Sequence, residues 1–454
     1  MPKTELASAT PAAQLRRKIE TRSARVGIIG LGYVGLPLGL LFSEEKFPVT
    51  GFDIDASKVE KLNSGASYIH HIPSTEIQAA GKQGFRATAD YAQLAQADAI
   101  IICVPTPLDE YREPDLSYIE LTAQAIAPHL QAGQLVILES TTYPGTTEEV
   151  LVKILESKNP RGLKAARNEA AAPGNSFFVA FSPEREDPGN QSVARRDIPK
   201  VIGGLDKASS ELASLLYSSI FNRTVMVSSP AVAEMTKLLE NIYRCVNIAL
   251  VNELKLLCLR MGINIWEVIE AASTKPFGFH PFYPGPGLGG HCIPVDPFYL
   301  SWKAKEYDFQ TRFIELAGEV NANMPYHVVQ AVAGALNQHK KAMNGSRILM
   351  LGVAYKKDVD DLRESPALTI IELLRQQGAE VSYNDPYFPF VGRGRRYDLQ
   401  MHSTPLEKIP EFDCVLIVTD HSDYDYPAIV RQAKLVVDSR NATRGIDSPK
   451  VVRC

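Results

Sequence analysis

The chain has 454 residues, of which 45% are hydrophobic and 22% are charged, and its formal net charge at neutral pH is -4. This length exceeds what one small core needs, so we expect roughly two to four domains. The near-neutral charge, with one short basic stretch at 393–396, argues against a nucleic-acid or membrane-surface partner.

The cysteines have neither CxxC pairs nor zinc-finger spacing, and we therefore expect no disulfide framework and no metal site. They are Cys103, Cys245, Cys258, Cys292, Cys414 and Cys454. The first 24 residues lack the apolar stretch of a signal peptide, and no apolar run reaches membrane-spanning length. The sequence therefore predicts a cytoplasmic protein of reducing surroundings.

A strand, a glycine-rich turn and an apolar helix follow a short N-terminal helix at about 11–22. The strand begins near Val26, and the turn has the pattern G-x-G-x-x-G, with Gly30, Gly32 and Gly35. A second strand ends in Asp53, 23 residues after Gly30. Backbone N–H groups of such a turn bind a diphosphate, and the carboxylate accepts hydrogen bonds from ribose hydroxyls. We expect NAD rather than NADP, because Asp53 would repel a 2′-phosphate; the alternative is a βαβ unit without a nucleotide.

The next three strands each end in a polar loop. Thr106 follows the strand at 99–104, Thr141 follows 135–138, and Glu184 with Arg185 follows 177–181. Ligands in open α/β sheets lie beyond the carboxyl ends of the strands, so these side chains are candidates for a site. The alternatives are an ordinary strand-ending turn for Thr106 and a solvated loop for Glu184. Residues 157–175 are unpatterned and indicate a flexible insertion.

From about residue 209 the pattern becomes helical, and a helix without a breaker is predicted from Ala231 to Met261. Lys237 and Asn241 lie four positions apart and share one face of it. The alternative for both residues is the solvated side of the helix. Long helices of this kind link domains or pack on a twofold partner, so we expect a homodimer or a higher homo-oligomer.

A glycine- and proline-rich segment at 284–296 contains one thiol, Cys292, next to His291 and four positions before Asp296. Close backbone approach and a nearby helix start favour a nucleophile, whereas an isolated cysteine is more often simply buried. After a further helix near 314–337, a second series of strands and helices runs from 347 to 438.

The predicted fold class is α/β, with two Rossmann-like doubly wound domains joined by a long central helical region. The expected divisions are an extension at 1–24, an NAD-binding domain at 25–208, a central region with the cysteine loop at 209–336, and a second Rossmann-like domain at 337–454. No repeat with a period of 20–50 residues is visible.

Seven separated motifs resemble those of the UDP-glucose/GDP-mannose dehydrogenase family, from about residue 25 to 443. They are Gly30-Leu-Gly-Tyr-Val-Gly-Leu-Pro, Val104-Pro-Thr-Pro, Glu139-Ser-Thr-Thr-Tyr-Pro-Gly-Thr-Thr, Ser182-Pro-Glu-Arg, Lys237 with Asn241, Gly289-Gly-His-Cys-Ile-Pro-Val-Asp and Gly352-Val-Ala-Tyr-Lys-Lys-Asp. Within the family, the cysteine segment and the Thr-Thr-Tyr-Pro-Gly-Thr-Thr loop are most similar to UDP-N-acetylglucosamine 6-dehydrogenases. The second Rossmann-like domain would then bind the UDP-sugar.

The resemblance implies oxidation of the C6 alcohol of a UDP-sugar to a carboxylate, with two NAD used in succession. It implies that Asp296, with a water held by Thr141, accepts the proton, and that Lys237 and Asn241 stabilise the oxyanion. Cys292 would be the nucleophile that holds the aldehyde carbon as a thiohemiacetal and then as a thioester. Glu184 would activate the water that hydrolyses the thioester.

The resemblance also implies two sets of binding residues, and no metal. Those expected to contact NAD are Gly30, Gly32, Tyr33, Val34, Gly35, Asp53, Lys58, Thr106, Thr141 and Arg363. Those expected to contact the UDP-sugar are Arg185, Lys237, Asn241, Phe282, Tyr283, Gly285, Tyr355, Lys356 and Arg440. The alternative for Arg363 and Arg440 is a surface ion pair.

Two positions depart from the UDP-glucose dehydrogenases of the family. Val295 stands where those enzymes have a lysine before the catalytic aspartate, and Pro188 stands where a second glutamate often follows. Both favour an N-acetylhexosamine substrate. UDP-glucose, UDP-N-acetylgalactosamine and UDP-N-acetylmannosamine remain alternatives, and a non-catalytic nucleotide-sugar or NAD sensor is the alternative from another class.

Overall fold

A computed structural model of the chain describes residues 10–69, 72–109, 113–167, 174–185, 193–290, 292–394 and 397–454. The chain divides into two compact units, one of Met1–Glu240 with Lys305–Tyr307 and the other of Asn241–Ala304 with Asp308–Cys454. The division into an extension and three domains that the sequence suggests remains a prediction.

The first unit alternates helices and short strands. Its helices are α1 (Pro11–Glu20), α2 (Gly35–Glu44), α3 (Ala56–Asn63), α4 (Ser74–Lys82), α5 (Ser117–Ile126), α6 (Lys153–Lys158) and α7 (Lys207–Tyr217). Its strands are β1 (Val26–Ile29), β2 (Val49–Phe52), β3 (Arg86–Thr88), β4 (Ala99–Ile102), β5 (Leu135–Leu138), β6 (Lys164–Ala165), β7 (Ser176–Phe181), β8 (Lys200–Gly204) and β9 (Thr224–Val227).

These strands form one sheet in the order β3-β2-β1-β4-β5-β7-β8-β9, with β6 paired to β7. All pairings are parallel except that of β7 with β8. Successive residues of each strand enter opposite cores: Ile28 and Ile101 pack with α1, α2 and α7, whereas Ile29 and Ile102 pack with α5 and α6. A sheet covered on both faces explains why its strands are continuously apolar.

Helix α1 and the edge strand β3 are both held to the rest of this unit by side-chain contacts. Helix α1 packs on the sheet through Leu15 and Ile19, which are 3% and 1% exposed, so it belongs to the core and not to the surface alone. At the sheet edge, the Asn63 side chain donates to Ala87 O (2.8 Å) and accepts from Ala87 N (2.9 Å). The backbone of β3 is thereby hydrogen-bonded on both sides.

The longest helix, α8 (Pro230–Met261), runs through residues of both units. The remaining helices of the second unit are α9 (Ile265–Ser273), α10 (Asp296–Ala304), α11 (Arg312–Gln338), α12 (Pro366–Gln376) and α13 (Tyr426–Gln432). Its strands are β10 (Arg347–Leu351), β11 (Glu380–Asn384), β12 (Phe390–Arg393), β13 (Asp398–His402), β14 (Cys414–Ile417), β15 (Val436–Asp438) and β16 (Val451–Arg453).

The second sheet is parallel and has the order β11-β10-β14-β15-β16, with a separate β12-β13 ribbon. Its two faces are also covered, by α11 and α12 on one side and α13 on the other. Two Rossmann-like α/β sheets and a long helix confirm the predicted fold class.

Several short elements differ from the sequence prediction. Strands β3, β8 and β9 were not predicted, and β9 lies in the region for which only helices were expected. The insertion at 157–175 is not unpatterned throughout, because it contains β6, which pairs with β7 directly after it. Residues 168–173 of that insertion, 395–396 of the basic stretch, Pro188 and His291 lie outside the described residues.

Candidate active site

The glycine-rich turn between β1 and α2 leaves no room for side chains at two positions. Gly30 has a φ of 89°, and a Cβ on Gly35 would lie 2.0 Å from Gly30 O. At Gly32, in contrast, no described atom outside the turn comes within 4 Å of such a Cβ. The turn is therefore compact inside and open outside, which suits a diphosphate bound by backbone N–H groups at a helix start.

Asp53 lies directly after β2 and is 7% exposed. Its Oδ2 accepts a hydrogen bond from Leu31 N (3.0 Å), its Oδ1 accepts one from Asp55 N (2.9 Å), and Lys58 Nζ lies 3.5 Å from Oδ2. Each carboxylate oxygen can accept more than one hydrogen bond, so Asp53 keeps capacity for ribose hydroxyls. The residues present thus fit NAD.

Thr106 and Thr141 follow the neighbouring strands β4 and β5, as expected. Thr106 is buried and Thr141 is half-buried. The loop that Thr141 begins is held by Glu234, whose carboxylate accepts hydrogen bonds from Gly145 N (2.6 Å), Thr147 N (2.9 Å) and Thr147 Oγ1 (2.6 Å). Burial raises the pKa of the Glu234 carboxyl. Sequence reasoning missed Glu234, although it lies three positions before Lys237.

Glu184 is part of a buried charge cluster and not of a solvated loop. Its Oε2 accepts a hydrogen bond from Lys200 Nζ (3.2 Å), and Lys200 also lies 3.1 Å from Glu139 Oε2. Sequence reasoning missed Lys200, which begins a strand that the sequence did not predict.

Arg185 is paired in this structure. Its Nε and Nη2 donate to the Glu240 carboxylate (3.2 and 2.5 Å), and its Nη1 donates to Pro199 O (2.7 Å). A phosphate that bound Arg185 would therefore compete with Glu240.

The polar face of α8 is buried, which excludes the solvated-side alternative. Lys237 is 5% exposed and Asn241 is fully buried. In the second unit, Asn241 Nδ2 donates to Asp296 Oδ2, and Arg244 Nη2 donates to Asn241 Oδ1. The Asn241 amide is thus oriented, with its N–H₂ group directed at a carboxylate.

Cys292 and Asp296 are connected by one turn of backbone. Asp296 N donates to Cys292 O (2.8 Å), and Asp296 is the first residue of α10 and is 2% exposed. The helix begins at Asp296, four residues after the cysteine, so a helix start lies close to Cys292, as the sequence predicts. The thiol is half-buried.

The cysteine segment lies against the loops that follow the second sheet. A Cβ on Gly285 would lie 2.6 Å from Arg440 Nη1, and Gly285 N donates to Asn252 Oδ1 (2.9 Å). Arg440 Nε donates to Val418 O (2.9 Å), so Arg440 is a half-buried group of this region and not a surface ion pair. A Cβ on Gly290 would likewise lie 2.9 Å from Cε2 of the Tyr355 ring.

Three other expected binding residues have partners within the second unit. Phe282 contacts Tyr243 edge-on (5.5 Å between centroids), and Tyr283 stacks on Trp266 at 5.8 Å. The Arg363 side chain is 40% exposed, and its guanidinium donates to both carboxylate oxygens of Asp361 (2.7–3.0 Å), which matches the ion-pair alternative. Its expected contact with NAD remains a prediction.

Comparison with known protein families establishes the family of this chain. Sequence models of the UDP-glucose/GDP-mannose dehydrogenase family match residues 24–221 (NAD binding domain), 231–323 (central domain) and 349–445 (UDP binding domain). The chain belongs to this family. It is therefore an NAD-dependent nucleotide-sugar dehydrogenase, as the motifs predicted, and both the NAD cofactor and the family assignment are confirmed.

Relatives of this dehydrogenase cover almost the whole chain. A UDP-N-acetyl-D-mannosamine dehydrogenase from Pyrococcus horikoshii is 37% identical over 92% of this chain and 95% of its own length. A UDP-N-acetyl-D-glucosamine 6-dehydrogenase from Pseudomonas aeruginosa is 34% identical over 89% and 92%. The solved structure of the UDP-D-ManNAc dehydrogenase from Pyrococcus horikoshii has a TM-score of 0.84 at 33% identity and covers 94% of this chain and 98% of that one.

The dehydrogenase has no helix, among its described residues, that is long and apolar enough to cross a membrane. Within the same residues, no group of histidine, cysteine and carboxylate side chains is arranged to hold a metal ion.

Proposed function

We propose that this dehydrogenase oxidises the C6 hydroxyl of a UDP-N-acetylhexosamine, with UDP-N-acetylglucosamine the favoured substrate, to the uronic acid. The proposal rests on one arrangement in the second unit. The buried Asn241 amide donates to the buried Asp296 carboxylate, and the backbone N–H of Asp296 donates to Cys292 O. A binding protein needs no buried carboxylate one turn of backbone from a cysteine, so we disfavour the sensor alternative.

The first oxidation needs a proton acceptor and stabilisation of negative charge on oxygen. Asp296, through a water held by Thr141, takes the proton of the C6 hydroxyl. Lys237 and Asn241 stabilise the developing alkoxide. The buried state of Lys237, at 5% exposure, supports this role because a buried ammonium interacts more strongly with a nearby oxyanion.

The second oxidation is proposed to occur on the cysteine. The Cys292 thiolate adds to the C6 aldehyde and forms a C–S bond as the C=O π bond breaks, which gives the thiohemiacetal as its alkoxide; loss of hydride from C6 then re-forms the C=O bond and leaves a thioester. Glu184 removes a proton from water, the hydroxide adds to the thioester carbon, and the C–S bond breaks to release the thiolate and the carboxylic acid, which then loses its proton to the solvent. Bound NAD would supply the hydride acceptor for both oxidations.

The second unit supplies the groups proposed for the nucleotide. Arg440 and Lys356 suit a diphosphate, and Phe282, Tyr283 and Tyr355 suit the uracil and sugar rings. Gly285 allows the Arg440 guanidinium to reach the cysteine segment, since a Cβ there would lie 2.6 Å from Nη1.

The choice of sugar is supported by local sequence and is open to test. Val295 in place of a lysine disfavours UDP-glucose, and the relatives named above act on N-acetylmannosamine and N-acetylglucosamine substrates by their names. We expect two NADH per sugar and the highest kcat/KM with UDP-N-acetylglucosamine, measured against UDP-N-acetylmannosamine, UDP-N-acetylgalactosamine and UDP-glucose. Preference for UDP-glucose would overturn the substrate proposal, and one NADH per sugar would overturn the four-electron reaction.

We also infer a homodimer that packs through α8. Tyr243, Leu250, Leu254, Leu257 and Met261 recur at helical spacing and are 37% to 60% exposed. An apolar stripe of this kind on a long helix is typical of an interface. Light scattering after size-exclusion chromatography should give about twice the 50.0 kDa of one chain, and a mass near 50.0 kDa would contradict the inference.

A further inference from the structure

Lys200 lies at the centre of a buried cluster that contains Glu184. Its side chain is 2% exposed, that of Glu139 is 0% exposed, and that of Glu184 is 17% exposed. Lys200 Nζ lies 3.1 Å from Glu139 Oε2 and 3.2 Å from Glu184 Oε2. One ammonium group therefore bridges two carboxylates inside the first unit.

Sheet topology explains why these side chains meet. Glu139 follows β5 and Glu184 follows the parallel strand β7, so both lie at the carboxyl ends of their strands. Lys200 is the first residue of β8, which runs antiparallel to β7, and its amino end therefore reaches the same edge. The inverted strand brings a cation to an edge where the neighbouring strands end in acids.

The Lys200 ammonium is held from several sides. The Tyr217 hydroxyl donates to Glu139 Oε1, and Nζ lies 5.2 Å from the centroid of the Tyr217 ring and 5.4 Å from that of Phe221. Burial opposes the ammonium charge, but the Glu139 and Glu184 carboxylates outweigh it and raise the pKa of Lys200. Burial also raises the pKa of the Glu139 carboxyl, an effect that Lys200 partly offsets.

Glu184 is consequently fixed at both oxygens. Its Oε2 accepts from Lys200 Nζ, and its Oε1 accepts from Arg185 N (2.8 Å). A carboxylate that takes a proton from water must be ionised and must point one lone pair at that water. A buried cation on one oxygen favours ionisation, and two fixed donors favour one orientation.

We propose that Lys200, supported by Glu139 and Tyr217, is a positioning residue that keeps Glu184 ionised and oriented for hydrolysis of the Cys292 thioester. The inference rests on the proposed role of Glu184. Lys200 takes no part in bond changes: the water proton passes to Glu184, the C–O bond forms, and the C–S bond breaks.

The test is accumulation of the acyl-enzyme. The protein is mixed with NAD and whichever UDP-N-acetylhexosamine the substrate comparison selects, quenched in acid, and analysed by intact-protein mass spectrometry for the adduct on Cys292. Lys200→Met should slow hydrolysis by about ten- to a hundredfold, because the variant keeps the base Glu184 and loses only part of the roughly 10²–10⁴-fold that a correctly ionised and oriented base contributes, and adduct should accumulate. Lys200→Arg should restore most of the hydrolysis rate.

A surface pair provides the matched control. Lys164 Nζ lies 3.2 Å from Glu156 Oε2 in the same unit, but the Lys164 side chain is 68% exposed. Lys164→Met should therefore leave no adduct. Tyr217→Phe removes one hydroxyl without changing size; it should give a smaller accumulation and decides the matter if Lys200→Met does not fold.

A pH profile separates positioning from general damage to the fold. Among the described residues, the titratable groups that interact electrostatically with Glu184 include Lys200, Glu139, Tyr217 and the Cys103 thiol after β4. In Lys200→Met the acidic limb of the hydrolysis rate should move up by about one pH unit, because the cation that favours ionised Glu184 is gone. An unchanged profile contradicts the inference.

Glu184→Gln distinguishes the role proposed for Lys200 from the proposed covalent reaction. Adduct in Glu184→Gln but in neither Lys200→Met nor Tyr217→Phe overturns the role of Lys200 and leaves the proposed reaction intact. No adduct in any variant overturns the covalent reaction itself.

Discussion

At the scale of residues, Asp296 joins two parts of the chain that lie 55 positions apart. The Asn241 amide reaches its carboxylate from α8, while its backbone N–H is bonded to Cys292 O. The carboxylate is therefore fixed by the same turn that presents the thiol. Substitution of either group should affect chemistry more than ligand binding.

Cys292→Ser tests this separation. A serine keeps the turn and its size, but a hydroxyl is a much weaker nucleophile than a thiolate near neutral pH. We expect carboxylate formation to fall by about a thousandfold or more, with the dissociation constants of NAD and the UDP-sugar changed by less than about twofold. Calorimetry and product analysis by mass spectrometry measure both, and full turnover by the serine variant would exclude the covalent route.

Asp53→Ala should weaken NAD binding selectively. The change removes the acceptor proposed for the ribose hydroxyls, and hydrogen bonds to charged groups contribute about 1.5–3 kcal/mol, so the dissociation constant should rise by about ten- to a hundredfold. Asp55→Ala is the control, since Asp55 is an exposed N-cap of α3. Calorimetric titration with UDP should show no change, and equal losses for NAD and UDP would contradict the assignment.

The sequence predicts some of these residues because their signals are local. Gly30 to Asp53 form a spaced motif, and Cys292 and Asp296 share one segment. Lys200 and Glu234 could not be predicted in the same way, because each acts through contacts with distant residues and neither lies in a motif. Whether Lys237 and Asn241 are buried also depends on what packs on α8, which periodicity alone does not reveal.

At the scale of elements, the Glu234 side chain links α8 to the Thr141 loop. Glu234 receives two backbone N–H groups and one hydroxyl from that loop, and it lies one helical turn before Lys237. The helix start, the loop and the ammonium group are thus connected within the first unit.

Glu234→Ala should therefore lower both stability and turnover. It leaves two buried donors on Thr147 and a half-buried one on Gly145 without their acceptor. Each buried donor without a partner costs about 1–3 kcal/mol, so we expect a loss of at least about 2 kcal/mol in the free energy of unfolding. Glu253→Ala, at an exposed position of the same helix, should change stability by less than about 0.5 kcal/mol. Urea denaturation measures both variants; similar losses would show that the Glu234 contacts are unimportant.

A continuous apolar run or a long helical period decides which elements the sequence reveals. The strands β1, β4, β5 and β10 are continuous apolar runs, and α8 and α11 have long periodic patterns, so all were predicted. The strand β9 has four residues of which none is fully buried, and β3 has three, so neither produces a readable pattern.

At the scale of the whole molecule, each sheet has hydrophobic cores of its own. The clusters on the first sheet and those on the second contain no common residue among those described. Units of this kind commonly unfold with some independence.

Calorimetry with ligands should reveal this independence. We expect two thermal transitions, one raised by NAD and the other by UDP, because a ligand at about a hundred times its dissociation constant stabilises the unit that binds it by about 2.7 kcal/mol. The protein without ligand is the reference. A single transition that both ligands raise equally would show that the units unfold together.

The side chain of Asn63 also limits the extension of the first sheet by strands from other molecules. Asp53 N donates to Thr88 O on the inner side of β3. On the outer side, the Asn63 amide donates to Ala87 O and accepts from Ala87 N, so β3 offers no ready template for a strand from another molecule. Asn63→Ala should expose that template and increase light scattering in concentrated, gently heated samples, whereas the surface substitution Ser64→Ala should not. The amide thus imitates one further strand and ends the sheet, a form of protection against aggregation that the chain carries within its own fold.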